Sequence, residues 1–166
     1  LHQDYSSLSN LFSEVEGIWT SNDVFMMDEL PESILIMGGG VIGVEFSTFF
    51  ATLGKKVILV ELFDHILPYE DVDVANEVKK SLKKKGVKIL EKHKVLGVEK
   101  NDDSFITKVL DVEKNEEISF ESSKVLMAVG RKPNIPQDLR DLGLEIEKGV
   151  VTDKTLKTNI DNIYAT

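Results

Sequence analysis

The chain contains no cysteine among its 166 residues. It therefore has no disulfide framework, no thiolate metal site and no redox-active cysteine pair of its own. Aromatic residues make up only 7% of the sequence. A chain of this length can bury about two thirds of its unfolded surface, so it needs no covalent or metal support. The length predicts one ordinary domain, with room for a short attached arm.

Basic residues are scarce relative to acidic ones. Lys and Arg together number 20 against 29 Asp and Glu, which gives a formal net charge of -9. Nucleic acids and anionic membrane surfaces both attract an excess of basic residues. We therefore expect neither nucleic acid nor membrane among the partners of this chain.

Long hydrophobic runs are also missing. The longest apolar stretch, residues 34–44, is interrupted by glycines and ends at Glu45, short of the roughly 18 residues of a membrane span. The first residues show no basic region followed by an apolar one, so no secretory signal is predicted. Because the chain begins with Leu1 and ends within a strand-like segment, we expect a piece of a longer protein.

Continuous apolar runs, typical of strands buried on both faces, alternate with helical patterns along the first half of the chain. The predicted strands cover residues 33–37, 56–61 and 87–90, and the predicted helices cover 44–53 and 71–85. In the second helix, Val74, Val78 and Leu82 recur at four-residue spacing and are expected to face the sheet. Such alternation indicates a parallel sheet with right-handed crossovers.

The pattern then changes to short strand-like runs separated by turn residues. Residues 95–100, 104–113 and 116–121 are separated by Asn101-Asp102 and Lys114-Asn115, which predicts an antiparallel meander. A further apolar run over 125–129 predicts a return to the parallel sheet, and short strands are expected around Val150 and Tyr164. The expected fold is α/β: a Rossmann-like parallel sheet with helices on both faces and an inserted antiparallel β-meander.

The first thirty residues are weakly patterned and are predicted to form a linker or arm, leaving 31–166 as the domain. Ser21-Asn22-Asp23 resembles a helix N-cap cluster before a short turn. Trp19, Met26 and Met27 are expected to be packing residues.

Gly38, Gly40 and Gly43 form a Gly-x-Gly-x-x-Gly motif between a predicted strand and a predicted helix. The first glycine allows a tight turn, the second lets backbone approach a pyrophosphate, and the third lets the helix pack closely on the strand. The helix N-terminus would then offer amide donors and partial positive charge to phosphates. This context predicts a dinucleotide-binding site.

Glu61 ends the second predicted strand, where a carboxylate can accept both hydroxyl groups of an adenosine ribose. The same charge would repel a 2′-phosphate. Residues 62–70 contain neither Arg nor Lys, so the sequence favours NAD over NADP. The alternative is that Glu61 is an ordinary solvated charge at a strand end.

The glycine-rich segment resembles the pyridine nucleotide-disulfide oxidoreductase family, and within it the dihydrolipoamide dehydrogenases. Further matches are Ile66-Leu67-Pro68, the Ala-Val-Gly-Arg segment ending at Arg131, and Asn162-Ile163-Tyr164-Ala165-Thr166. The resemblance implies the NAD(H)-binding domain of a flavoprotein that reoxidises dihydrolipoamide through a disulfide and FAD, with residues 1–30 as an arm from the flanking FAD domain.

The resemblance also implies the cofactor-binding residues. Val95 matches a position whose backbone meets adenine, Gly130 a glycine on the nicotinamide side, and Glu45 a glutamate that assists beside the nicotinamide and flavin. The expected cofactor-binding set is Gly38, Gly39, Gly40, Val41, Ile42, Gly43, Val44, Glu45, Glu61, Val95 and Gly130. No metal ligand is expected, and no other catalytic residue within this chain.

The chain lacks the cysteine pair, the FAD glycine motif and the His-Glu pair of the family, so by itself it is expected to be inactive. The resemblance implies as partners the FAD and dimerisation domains of a homodimeric parent. It also implies a place in 2-oxo acid dehydrogenase complexes and a cytoplasmic location. Alternatives are the NAD(H) domain of another flavoprotein disulfide reductase or NADH oxidase, a non-catalytic nucleotide-binding module, and a mitochondrial location.

Overall fold

The computed structural model describes residues 15–130 and 133–166. The chain divides after Gly130 into two compact units. The helices of the first unit are α1 (Ser21–Phe25), α2 (Val41–Thr52) and α3 (Val72–Lys84). Its strands are β1 (Ser33–Met37), β2 (Lys56–Val60), β3 (Lys88–Leu90), β4 (His93–Asn101), β5 (Ser104–Asp111), β6 (Glu116–Ser122) and β7 (Lys124–Met127).

Two sheets form the first unit. The four-stranded sheet has the order β3-β2-β1-β7, and its pairs are parallel. The three-stranded sheet has the order β4-β5-β6, and its pairs are antiparallel. The predicted α/β fold with an inserted meander is therefore confirmed.

The two faces of the parallel sheet are covered differently. Ile34 and Ile36 of β1 pack in a core with side chains of all three helices, including Phe50 and Leu82. The alternate residues of β1, Leu35 and Met37, pack against the meander. These four side chains of β1 are at most 1% exposed, and the burial of each contributes about 1.5–3 kcal/mol to the stability of the fold.

The prediction of helices on both faces is wrong for the described part of the first unit. The chain steps from β1 to β2 to β3 in one direction, and right-handed crossovers place α2 and α3 on the same face. The return from β3 to β7 runs through the meander, which therefore covers the opposite face.

The described part of the predicted arm contacts the sheet. The Trp19 amide donates to the Val125 carbonyl at 2.8 Å, and the Met127 amide donates to the Trp19 carbonyl at 2.7 Å. Trp19 also packs on the helix-side core, as expected, and Val24 is 4% exposed. The boundary between residues 30 and 31 stays a prediction, and residues 1–14 lie outside the described residues.

Two local predictions in the helices need correction. The N-cap of α1 is Thr20, with Asp23 closing a capping box, so the N-cap precedes the predicted cluster. Met26 is 81% exposed because it follows the end of α1 and points away from the core, whereas Met27 packs on it.

The buried face of α3 is also shifted from the prediction. Ala75 and Leu82 are buried and Val78 packs on the core, but Val74 is 52% exposed. Residues 75, 78 and 82 follow the i, i+3, i+7 spacing of one helix face. Val74 comes one position before Ala75, so its side chain is rotated by about 100° from that face.

The second unit contains a helix, α4 (Gln137–Asp141), and isolated bridges between Ile146 and Val150 and between Lys157 and Tyr164. The strands expected around Val150 and Tyr164 thus occur only as single bridges. Across residues 15–130 and 133–166, no helix is long and apolar enough to cross a membrane, and no cluster of His, Asp and Glu side chains could hold a metal ion.

Candidate functional site

The glycine-rich turn connects the carboxyl end of β1 to α2. Gly38 has a φ of +100°, and a Cβ on it would lie 2.5 Å from the carbonyl oxygen of Ala128. Its amide donates to the Val60 carbonyl at 2.8 Å. Only glycine suits this position, because the backbone is left-handed and the neighbouring strand leaves no space for a side chain.

Gly43 brings the first turn of α2 against the preceding loop. A Cβ at Gly43 would lie 1.9 Å from the carbonyl oxygen of Gly38. Real atoms do not approach so closely, so the helix can occupy this place only with glycine at position 43. This is the close helix packing that the motif predicts.

The space beside Gly40 is open. Gly40 is the N-cap of α2, and a Cβ built on it would meet nothing within 4 Å. No side chain caps this helix end, and its first turn carries no acidic residue. The first helical amides lack intrahelical acceptors, and the helix dipole favours negative charge there. The arrangement therefore offers donors and room to an anion.

Glu61 lies directly beside the glycine turn and is 5% exposed. Its Oε2 accepts the Gly39 amide at 2.5 Å, and its Oε1 accepts the Phe63 amide at 2.8 Å. The side chain is thus held in one orientation by backbone donors. Glu61 differs from the solvated strand-end charge that the sequence left as an alternative.

The segment that follows Glu61 closes over Gly39. The Leu67 amide donates to the Gly39 carbonyl at 2.7 Å, and a Cβ on Gly39 would lie 3.1 Å from the Ile66 side chain. Leu67 adopts a φ of +52°, and Ile66 is fully buried. These contacts and the hydrogen bond to Glu61 together fix the backbone at Gly39.

Sequence reasoning missed Glu91, which accepts the Ile66 amide at 3.2 Å and pairs with Lys79 of α3. One signal could have found it. Glu91 follows β3 just as Glu61 follows β2, and the carboxyl ends of adjacent parallel strands lie at the same edge of a sheet.

Lys92, which lies outside residues 62–70, contacts the loop that follows Glu61. The Lys92 amide donates to the Phe63 carbonyl at 2.8 Å. Its ammonium pairs with Glu113 at 2.5 Å, and the hydrogen bond to that carboxylate raises the pKa of Lys92. The charge of Lys92 is therefore balanced by Glu113.

The other expected residues differ in how directly they are connected to the glycine turn and Glu61. Gly130 has a φ of +124° and follows Val129, whose Cα would lie 3.3 Å from a Cβ on Gly38. Val95 comes two residues after His93, whose amide donates to the Glu61 carbonyl at 2.9 Å. Glu45 is exposed on α2. Arg131 lies outside the described residues.

Comparison with known proteins decides the family. The sequence matches the family described as pyridine nucleotide-disulphide oxidoreductase over residues 9–166. The chain belongs to this family. Dihydrolipoyl dehydrogenase of Acholeplasma laidlawii is 40% identical over 147 residues, which are 88% of this chain and 42% of that protein. Dihydrolipoyl dehydrogenase of Bacillus subtilis is 35% identical over 159 residues, which are 92% of this chain and 33% of that protein.

Solved structures of pyridine nucleotide-disulphide oxidoreductases and related flavoproteins share the fold. The HOCl-induced flavoprotein disulfide reductase RclA from Escherichia coli matches with a TM-score of 0.77 and 30% identity, over 92% of this chain and 34% of that one. LpdA from Mycobacterium tuberculosis matches with a TM-score of 0.75 and 28% identity, over 90% and 32%. The chain therefore spans between about a third and two fifths of the length of these relatives.

Proposed function

We propose that this chain is the NAD(H)-binding domain of a flavoprotein of the dihydrolipoamide dehydrogenase type. The observation that carries the proposal is the buried Glu61 carboxylate, held against the Gly39 amide next to the open space at Gly40. A ribose and a pyrophosphate need an acceptor and a set of donors at such neighbouring positions. The residues present therefore fit a dinucleotide.

In this proposal the cofactor is held mainly by backbone. The glycine turn and the amides of Val41, Ile42 and Gly43 at the start of α2 would hold the pyrophosphate. The Val44 amide already donates to the Gly40 carbonyl at 3.0 Å. Glu61 would accept the hydroxyl groups of the adenosine ribose. By resemblance, the Val95 backbone would meet the adenine, and Gly130 and Glu45 would lie on the nicotinamide side. When bound, NAD would supply the hydride acceptor.

The charges beside Glu61 support NAD over NADP. A 2′-phosphate would lie next to a buried carboxylate that two amides hold in place, so it would meet repulsion that the side chain cannot relieve by rotating away. The backbone amide of Lys92 contacts this loop, and its ammonium is paired with Glu113. That ion pair would have to break before Lys92 could bind a second phosphate.

The reaction of the whole protein is proposed from its relatives. The curated relatives named above are dihydrolipoyl dehydrogenases, and this chain has no cysteine to form a redox disulfide. Electrons from dihydrolipoamide would therefore pass through a disulfide and FAD that lie outside this chain. We propose that the chain alone binds NAD(H) but is inactive, and that the parent is a cytoplasmic homodimer.

Calorimetric titration with NADH, NADPH and FAD tests the cofactor assignment. We expect binding of NADH, weaker binding of NADPH and none of FAD. Glu61→Ala should weaken NADH by about 1–3 kcal/mol, the value of hydrogen bonds to a charged group, and should weaken NADPH much less or strengthen it. Asp64→Ala is the matched control, because it removes an exposed charge from the same loop. Equal losses for both nucleotides in Glu61→Ala would mean that Glu61 acts through the glycine turn, whose Gly39 amide it holds, and not by selecting the ribose.

A second candidate is the NAD(H) domain of another flavoprotein disulfide reductase. The similarity of the fold to RclA, with a TM-score of 0.77, favours it. Assays of the full-length parent distinguish the two candidates. Rapid NAD reduction with dihydrolipoamide supports the first, and NADH oxidation with a different acceptor and no lipoamide activity supports the second.

A further inference from the structure

Both backbone polar groups of Gly39 form hydrogen bonds with the segment that follows β2. Its N–H donates to Glu61 Oε2 at 2.5 Å, and its C=O accepts the Leu67 amide at 2.7 Å. Gly39 lies between Gly38 and Gly40, so the path of the glycine turn depends on where Ile66 and Leu67 lie. The position of that segment is therefore a determinant of the turn.

Glu91 attaches this segment to the body of the domain. Its Oε1 accepts the Ile66 amide at 3.2 Å, and its other oxygen pairs with Lys79. The Glu91 side chain is 14% exposed and that of Lys79 is 27% exposed. Salt and water screen such a shielded pair less than a surface pair, and removing one partner leaves the other poorly solvated.

The contacts form a continuous connection from helix to glycine turn. Lys79 of α3 holds Glu91 at the end of β3, Glu91 holds the Ile66 amide, and the adjoining Leu67 amide holds the Gly39 carbonyl. Leu67 has a φ of +52°, which a leucine adopts only at a cost. The hydrogen bond from the Ile66 amide to Glu91 helps to offset that cost by fixing the backbone one residue before Leu67.

We propose that Glu91 is a positioning residue for the dinucleotide: it holds residues 66–67 so that the glycine turn keeps the shape that receives the pyrophosphate. The inference rests on the proposed function. It assigns to Glu91 a role in binding the phosphates and none in binding the adenosine, since Glu61 is additionally oriented by the Phe63 amide.

The test compares two ligands on the full 166-residue chain by NMR titration. ADP-ribose contains the pyrophosphate, and adenosine contains only the part that Glu61 would bind. In Glu91→Ala we expect the Kd for ADP-ribose to rise about tenfold, equivalent to about 1.4 kcal/mol. The Kd for adenosine should stay within about twofold, because adenosine would bind Glu61, which the Phe63 amide also orients.

Matched variants separate positioning from general destabilisation. Glu91→Gln keeps an oxygen that can accept the Ile66 amide, and should restore most of the ADP-ribose affinity. Glu77→Ala removes an exposed carboxylate that pairs with Lys80 on the same helix, and should change neither Kd. If Glu91→Ala does not fold, Lys79→Met provides the test, because Glu91 can still accept the Ile66 amide but loses its ion pair with Lys79. Of the two ligands, only ADP-ribose should then bind more weakly.

The outcomes are distinct. Unchanged ADP-ribose binding in Glu91→Ala, or equal losses for both ligands, would refute the positioning role while leaving the proposed function intact. Failure of the wild-type chain to bind ADP-ribose would refute the proposed function and this inference with it. Selective loss in Glu91→Ala with recovery in Glu91→Gln supports both.

Discussion

The carbonyl oxygen of Gly38 lies where a Cβ of Gly43 would have to be, with a distance of 1.9 Å between them. The first turn of α2 therefore packs on the glycine turn through backbone alone. Gly40, between these two glycines in the sequence, faces open space instead. The fold thus requires glycine at positions 38 and 43 of the motif but not at position 40, and mutations can separate the two roles.

Gly43→Ala should destabilise the chain by about 3 kcal/mol, because the methyl group forces α2 away from the sheet. Urea unfolding followed by circular dichroism measures the loss. Gly97→Ala is the control, since a Cβ there meets nothing within 4 Å, and its effect should stay within about 0.5 kcal/mol. Similar stability of the two variants would mean that the contact is relieved by a small shift.

Gly40→Ala should leave folding intact and weaken binding. Gly40 has an extended backbone with a φ of -69°, and its Cβ direction is free. Unfolding should therefore change by no more than about 0.5 kcal/mol. If the pyrophosphate lies against this residue, the methyl group should raise the Kd for NADH at least about tenfold. Calorimetry showing unchanged affinity would place the phosphates elsewhere.

Asp111 should contribute to acid unfolding. The Lys114 amide donates to its carboxylate at 3.1 Å, and this hydrogen bond is the main cause that lowers the pKa of Asp111 below its ordinary value of 3.8. A carboxyl with a lowered folded pKa contributes stability above its unfolded pKa and loses it as the pH falls through the folded value. The contribution is therefore complete at neutral pH and is lost progressively as the pH falls below about 4.

Asp111→Asn should flatten part of the decrease in urea midpoint between about pH 4 and pH 2, since the variant has no proton to bind there. The amide oxygen can still accept a backbone N–H, so the variant is expected to fold. NMR titration of the Asp111 carboxyl carbon gives the direct measurement. A midpoint at or above 3.8 would contradict the assigned hydrogen bonds.

The turn between β5 and β6 makes a conformational prediction. Asn115 adopts a φ of +56°, and its amide donates to the Asp111 carbonyl at 2.8 Å. Asn115→Ala should cost about 1 kcal/mol, because alanine lacks the tolerance of asparagine for the left-handed region. Asn115→Gly should be neutral or slightly stabilising, and thermal unfolding of the pair measures the difference. Equal effects of both variants would point to a lost side-chain contact rather than to backbone conformation.

The elements of the first unit follow closely from sequence periodicity. The predicted strand over 33–37 matches β1, and the predicted meander matches β4, β5 and β6 within a few residues. Local patterns determine these elements because each strand or helix must hide its own apolar side chains. The face of α3 was less predictable, since Val74 and Ala75 are both apolar and only the direction of packing selects Ala75.

The glycine turn, the acid after β2 and the alternation of strands and helices can be predicted from the sequence, because they depend on chain neighbours and on spacing. Long-range packing is needed to place α1, α2 and α3 on one face, to pair Trp19 with β7 and to bring Glu91 to the loop over Gly39. These contacts join residues far apart in the chain. Their partners are selected by the direction of the crossovers and by packing, neither of which is written in any short segment.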